Sequence, residues 1–102
     1  MIDAPSISLS ERELAIVVEI LKRHVPQCRV WAFGSRARGQ AKPYSDLDLA
    51  IMAHEPLSLA QIAALREAFS ESDLPWKVDL VDWSTAGEQL RQIIDRDKVA
   101  IQ

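Results

Sequence analysis

An apolar run, Val30-Trp31-Ala32-Phe33, stops at Gly34-Ser35, and after a polar stretch the chain resumes as Asp46-Leu47-Asp48-Leu49-Ala50-Ile51. In the second run Leu47, Leu49 and Ile51 alternate with the remaining residues, which is strand periodicity and places Asp46 and Asp48 together on the opposite face. Carboxylates two strand residues apart stand roughly 6.6 Å from each other and repel unless positive charge lies between them. A hard divalent cation is the usual partner: Mg²⁺ takes oxygen ligands at about 2.1 Å and shares itself between one or two carboxylates and substrate phosphates. The same pair on a solvated strand face would need no ligand, so the neighbouring residues decide.

Those neighbours suit a phosphate. Val30 to Phe33 reads as a buried strand running into Gly34-Ser35 and then a short segment able to form a helical turn. Glycine lets the backbone approach a ligand closely, and N–H groups at a helix start attract phosphate. Ser35 adds a hydroxyl donor. Arg36, Arg38 and Lys42 bring positive charge beside this turn, where a triphosphate needs neutralising, although a solvated loop pairing one arginine with an acid has the same composition. A third acid comes from Lys77-Val78-Asp79-Leu80-Val81-Asp82, a short strand in which Val78 and Leu80 share one face and Asp79 the other. If that strand lies beside the first acidic one, Asp46, Asp48 and Asp79 converge, and such a cluster suits two metals about 3.5–4 Å apart that clamp an in-line phosphoryl displacement.

Gly34-Ser35, ten residues, Asp46-x-Asp48 and a later Asp79 together resemble the polymerase-β-like nucleotidyltransferase superfamily. The wider setting, Phe33-Gly34-Ser35-Arg36-Ala37-Arg38-Gly39 and then Ser45-Asp46-Leu47-Asp48-Leu49, is similar to the minimal nucleotidyltransferases. The resemblance runs from about Leu14 to the C-terminal helix. It implies a nucleotidyltransferase fold, with Asp46, Asp48 and Asp79 catalytic and holding two Mg²⁺ ions, and with Gly34, Ser35, Arg36, Arg38 and Ser45 contacting the nucleotide. It further implies ATP as donor and, as partner and acceptor, a HEPN-domain RNase toxin that is silenced by AMP transfer to a tyrosine hydroxyl. Two other outcomes stay open: neutralisation of a partner by binding alone, and nucleotidyl transfer to a small molecule, which usually calls for extra helical structure.

The rest of the chain supplies a scaffold. Ser10-Glu11-Arg12-Glu13 is a capping box ahead of Leu14, Val17, Val18 and Leu21 at helical spacing, predicting a helix from about Ser10 to His24 that Pro26 stops. Ser58-Leu59-Ala60-Gln61 opens a second, with Ile62, Leu65 and Phe69 facing inward. Ser84 is a candidate N-cap for a third, bearing Leu90, Ile93 and Ile94, and Val99-Ala100-Ile101 finishes extended or forms an interface. His24 reads as a helix-end residue favoured by the dipole, His54 as a loop residue, and Trp76 and Trp83 as packing at the sheet edge. The predicted fold is α/β (α+β), a mixed three-stranded sheet with the Asp46/Asp48 strand central and helices mainly on one face, in a single domain spanning residues 10–102 after a loosely held stretch of residues 1–9.

At 102 residues and a net charge of −3, with a pI near 5.3, the chain shows no basic footprint for duplex nucleic acid. Its size leaves no room for a separate acceptor domain, so a partner must present the acceptor. The single Cys28 cannot form an internal disulfide, and no signal-like start or spanning apolar run is visible, which together lead to the expectation of a cytoplasmic protein.

Overall fold

Strand pairing follows from the alternation of apolar residues. In the computed structural model, which describes residues 7–102, the elements are α1 (Glu11–His24), β1 (Arg29–Phe33), the short α2 (Gly34–Ala37), β2 (Leu47–Met52), α3 (Leu59–Ser70), β3 (Val78–Asp82), α4 (Glu88–Asp97) and β4 (Val99–Ala100). The sheet order is β3-β2-β1-β4. β2 is antiparallel to β1, with Phe33 opposite Asp48, and parallel to β3, with Asp48 opposite Asp79 and Leu49 opposite Leu80. A parallel pair needs a crossover rather than a tight turn, and α3 provides it.

One sheet face carries Val30, Ala32, Leu47, Leu49, Ile51 and Leu80, all buried against Val17 and Leu21 of α1 and Leu65 and Phe69 of α3. Both helices begin as predicted. Ser10 and Ser58 cap them with complete boxes, each hydroxyl accepting from the N3 backbone while the Glu13 or Gln61 side chain accepts from the cap's own N–H.

The opposite face is divided. Near its acidic end it is open, but further along the strands Phe33 and Ala50 are buried, with Trp31, Val81 and Trp83 packed around them, and this apolar half needs its own cover. α4 provides it with Ile94 and Leu90, so α1 and α3 share one side while α4 lies on the other. Trp31 and Trp83 meet edge to face at 6.0 Å. α4 starts at Glu88 behind Gly87, and Ser84 sits instead in a 3-10 turn over Trp83–Thr85. There Asp82, a stronger acceptor, takes hydrogen bonds from the Ser84 N–H and hydroxyl and from the Leu57 N–H.

The sheet has four strands where three are predicted. β4 pairs with Trp31 and Ala32, and Val30 exchanges backbone hydrogen bonds with Ile101 and Gln102, so the free edge of β1 is satisfied. Two residues of strand are too short to show periodicity. Of the stretch expected to be loose, residues 1–6 lie outside the described residues. Ser8 is tied to Arg36 in both directions: its N–H donates to the Arg36 carbonyl at 2.7 Å, and its own carbonyl accepts from Arg36 Nη1 at 2.8 Å.

Leu49 is fully buried on the central strand. Leu49→Ala should lower unfolding free energy by about 2–5 kcal/mol, read as a reduced urea midpoint with an unchanged slope.

Candidate active site

The site begins with a backbone constraint. Gly34 has φ +78°, a conformation that side chains disfavour, and a Cβ placed on it would stand 2.5 Å from Asp48 Oδ2. The turn leaving β1 therefore lies directly against the carboxylate on β2. Asp48 in turn sits opposite Asp79 in the parallel register, and Asp46, one residue before β2, is two positions back along the same side. The three predicted acids thus share one end of one sheet face.

Their charges are felt at Asp48. Partial burial, followed by the negative charges of Asp79 and Asp46, pushes its carboxyl up from 3.8 to about 6. Among the described residues no three acidic, histidine or cysteine side chains are drawn together into a preformed metal cage. Like charges at this spacing splay apart unless a cation holds them. Hard oxygen donors with uncompensated charge fit Mg²⁺, which is commonly completed by substrate phosphates and water rather than by protein alone.

The nucleotide side is more selective than its sequence suggests. Ser35 lies half-buried at the start of α2, whose N-terminus has no side-chain cap. Arg38 is 46% exposed at its side chain and its Nε stands 3.9 Å from Asp97 on α4. Lys42 is exposed. Arg36 is a correction. It is 5% exposed, with Nε donating to the Ser45 carbonyl at 2.7 Å, Nη1 to Ser8 and Nη2 to Pro43 at 3.0 Å, and its guanidinium lies 4.3 Å from the Trp76 ring centroid. Its donors are spent on carbonyls, leaving it to brace the loop that delivers Asp46 rather than to meet a phosphate. The Ser45 hydroxyl likewise closes that loop, accepting from the Lys42 N–H at 3.0 Å.

One residue was not anticipated. Asp97, at the end of α4, is buried beneath the Gly34 turn and pairs with Arg96 and Arg38. Its pairing with Arg96 is local, but nothing nearby in the chain marks its approach to Arg38 and Gly34, about sixty residues away.

The family described as "Polymerase beta, Nucleotidyltransferase" matches residues 16–102. The chain belongs to this nucleotidyltransferase family. A Haemophilus influenzae relative named "Probable protein adenylyltransferase MntA" is 56% identical over 96 residues, covering 94% of this chain and 84% of the relative. A solved toxin–antitoxin complex with AMP-PNP superposes at a TM-score of 0.76 with 26% identity, over 87% of this chain and 72% of that one. A structure described as a minimal nucleotidyltransferase superposes at 0.66 with 32% identity, over 86% and 88%. In this nucleotidyltransferase no helix among the described residues is long and apolar enough to cross a membrane.

Two outcomes follow for the nucleotidyltransferase. Since the folded protein binds the Asp48 proton more tightly than the unfolded chain, stability from this group is greatest below about pH 4 and falls as pH rises to about 6. Asp48→Asn should therefore stabilise the metal-free protein at neutral pH by about 1 kcal/mol, allowing for solvent screening. Thermal melts in chelator should show this gain, and added Mg²⁺ should raise the melting point of the wild type alone. Arg36→Ala should cost about 3 kcal/mol by removing charged hydrogen bonds from otherwise buried carbonyls, whereas Arg38→Ala, which leaves Arg96 on Asp97, should lower the melting temperature less.

Proposed function

We propose that this nucleotidyltransferase moves AMP from ATP to a tyrosine hydroxyl of a HEPN-domain RNase toxin and so acts as its antitoxin. The observation that carries the reading is the meeting of Asp48, Asp79 and Gly34: two facing carboxylates with unneutralised charge, pressed against a glycine turn that leads into Ser35. The similarity to a Haemophilus influenzae protein named as an adenylyltransferase, and to a toxin–antitoxin complex with AMP-PNP, supports the donor and the partner class.

Asp46 and Asp48 would hold two Mg²⁺ ions and Asp79 would complete the catalytic one. Bound there, Mg²⁺ neutralises triphosphate charge and lowers the pKa of a nearby hydroxyl. Ser35 and Arg38 hold the outer phosphates, while Gly34 keeps the turn close enough to Asp48 for donor and acids to share one space. Asp79 is exposed, so an acceptor side chain can approach it from solvent. There it receives the proton of the attacking hydroxyl. The phenolic oxygen forms a bond to the α-phosphorus, the bond from that phosphorus to the bridging oxygen of the β-phosphate breaks, and pyrophosphate leaves with the electron pair. With ATP as donor and a toxin RNase as acceptor, the cytoplasm is the setting.

Incubating the protein with a HEPN-domain toxin partner, ATP and Mg²⁺ should add one or more AMP units to the partner by intact mass. Asp46→Ala/Asp48→Ala should abolish the gain, and Asp79→Asn should slow it about 10²–10⁴-fold, as expected for loss of a general base. A stable complex with no mass gain under other nucleotides or Mn²⁺ would instead mean neutralisation by binding alone.

A further inference from the structure

Asp97 is a charge in an unfavourable place. It ends α4, where the helix dipole presents its negative pole, and its side chain is only 3% exposed. A buried carboxylate must be paired and hydrogen-bonded to persist. Part of that compensation is local: Arg96 holds it with two contacts, Nε to Oδ1 at 2.8 Å and Nη2 to Oδ2 at 3.2 Å. The rest comes from the nucleotide side of the molecule. Arg38 Nε lies 3.9 Å from Oδ2, and the Gly34 backbone N–H faces the same carboxylate. Together these donors, Arg96 foremost, outweigh burial and hold the Asp97 carboxyl below its ordinary range.

The Gly34 peptide is therefore gripped from two directions. Asp48 Oδ2 occupies the space beside its Cα, and the buried Asp97 carboxylate lies on its N–H side. A Gly34 that shifts would carry Ser35 with it and open the gap to Asp48. Arg38 is the other element under this control, since a half-exposed arginine on a short turn has many rotamers and a buried anion restricts them. Lys98, the next residue, is directed elsewhere, with Nζ 2.7 Å from Asp95 and 4.6 Å from the Trp31 ring centroid.

We propose that Asp97 is a positioning residue for the nucleotide site, fixing the Gly34-Ser35 turn and aiming the Arg38 guanidinium at the outer phosphates of the donor. Its carboxylate touches neither donor nor acceptor. It acts through the two groups it holds, and this rests on the functional reading above.

The test is binding of AMP-PNP with Mg²⁺ by calorimetry, alongside thermal melts and the amide spectrum. Asp97→Asn should weaken binding about tenfold, the loss expected for a charge-assisted contact, and should move the Gly34 amide resonance while the protein stays folded at the assay temperature. Asp97→Glu should recover part of the loss, and the double variant Arg38→Gln/Asp97→Asn should bind little worse than Arg38→Gln alone. If Asp97→Asn proves unfolded, Asp97→Glu and the Arg38→Gln pair carry the same comparison. Unchanged or tighter binding in Asp97→Asn, or fully additive losses in the double variant, would overturn the inference while leaving the functional reading intact. Failure of the wild type to bind AMP-PNP would overturn both.

Discussion

Gly34 has no side chain, and the space that one would fill lies against the Asp48 carboxylate. The positive φ of this residue turns the chain out of β1, and the missing Cβ lets that turn touch the acidic strand. A turn bearing a side chain could not come this close to a carboxylate, since the two would compete for the same space. Here they are neighbours because one residue contributes only its backbone. The remainder of the fold keeps the contact in register: antiparallel pairing sets Phe33 opposite Asp48, and parallel pairing sets Asp79 opposite Asp48 on the other side. Asp48 therefore receives both constraints, and it is the acid whose proton is held most anomalously.

The sheet is unequal on its two faces for the same reason. The side under α1 and α3 is apolar along its whole length, as a core must be. The other is apolar for only part of each strand, where α4 seals it with Ile94, and polar at the end that carries the acids. Trp31, Phe33, Ala50 and Val81 are thus the floor on which α4 rests, and α4 brings Asp97 beneath the glycine turn. A helix that looks like scaffold from its own stripe of Leu90 and Ile94 is in contact with the site at its far end.

What could be read from the sequence was what depends on near neighbours. Both capping boxes, the strand character of Leu47 to Ile51 and the shared side of Asp46 and Asp48 are local patterns, and each has its counterpart in the structure. The approach of Asp79 needed a guess about which strands are adjacent, and the parallel register supplies that adjacency. Arg36 was misread because its charge was visible while its partners were not: carbonyl acceptors at Ser8, Pro43 and Ser45 have no side-chain signature. The extended end at Val99-Ala100 is legible, but its place in the sheet is not, because that pairing is a property of the β1 edge rather than of Val99 and Ala100. Asp97 looks like one more charge on a polar helix until the Gly34 turn is folded against it.

The parallel pairing of β2 with β3 also fixes the order in which the molecule can become active during its own synthesis. Asp46 and Asp48 leave the ribosome early, beside a glycine turn already made. Their facing acid arrives thirty-one residues after Asp48, behind a whole crossover helix. A nascent chain holding only the first hairpin has two of the three acids and not the one that faces Asp48. The set of three acids is thus complete only once β3 docks, and a chain stalled in α3 lacks Asp79 however well its first two strands have paired.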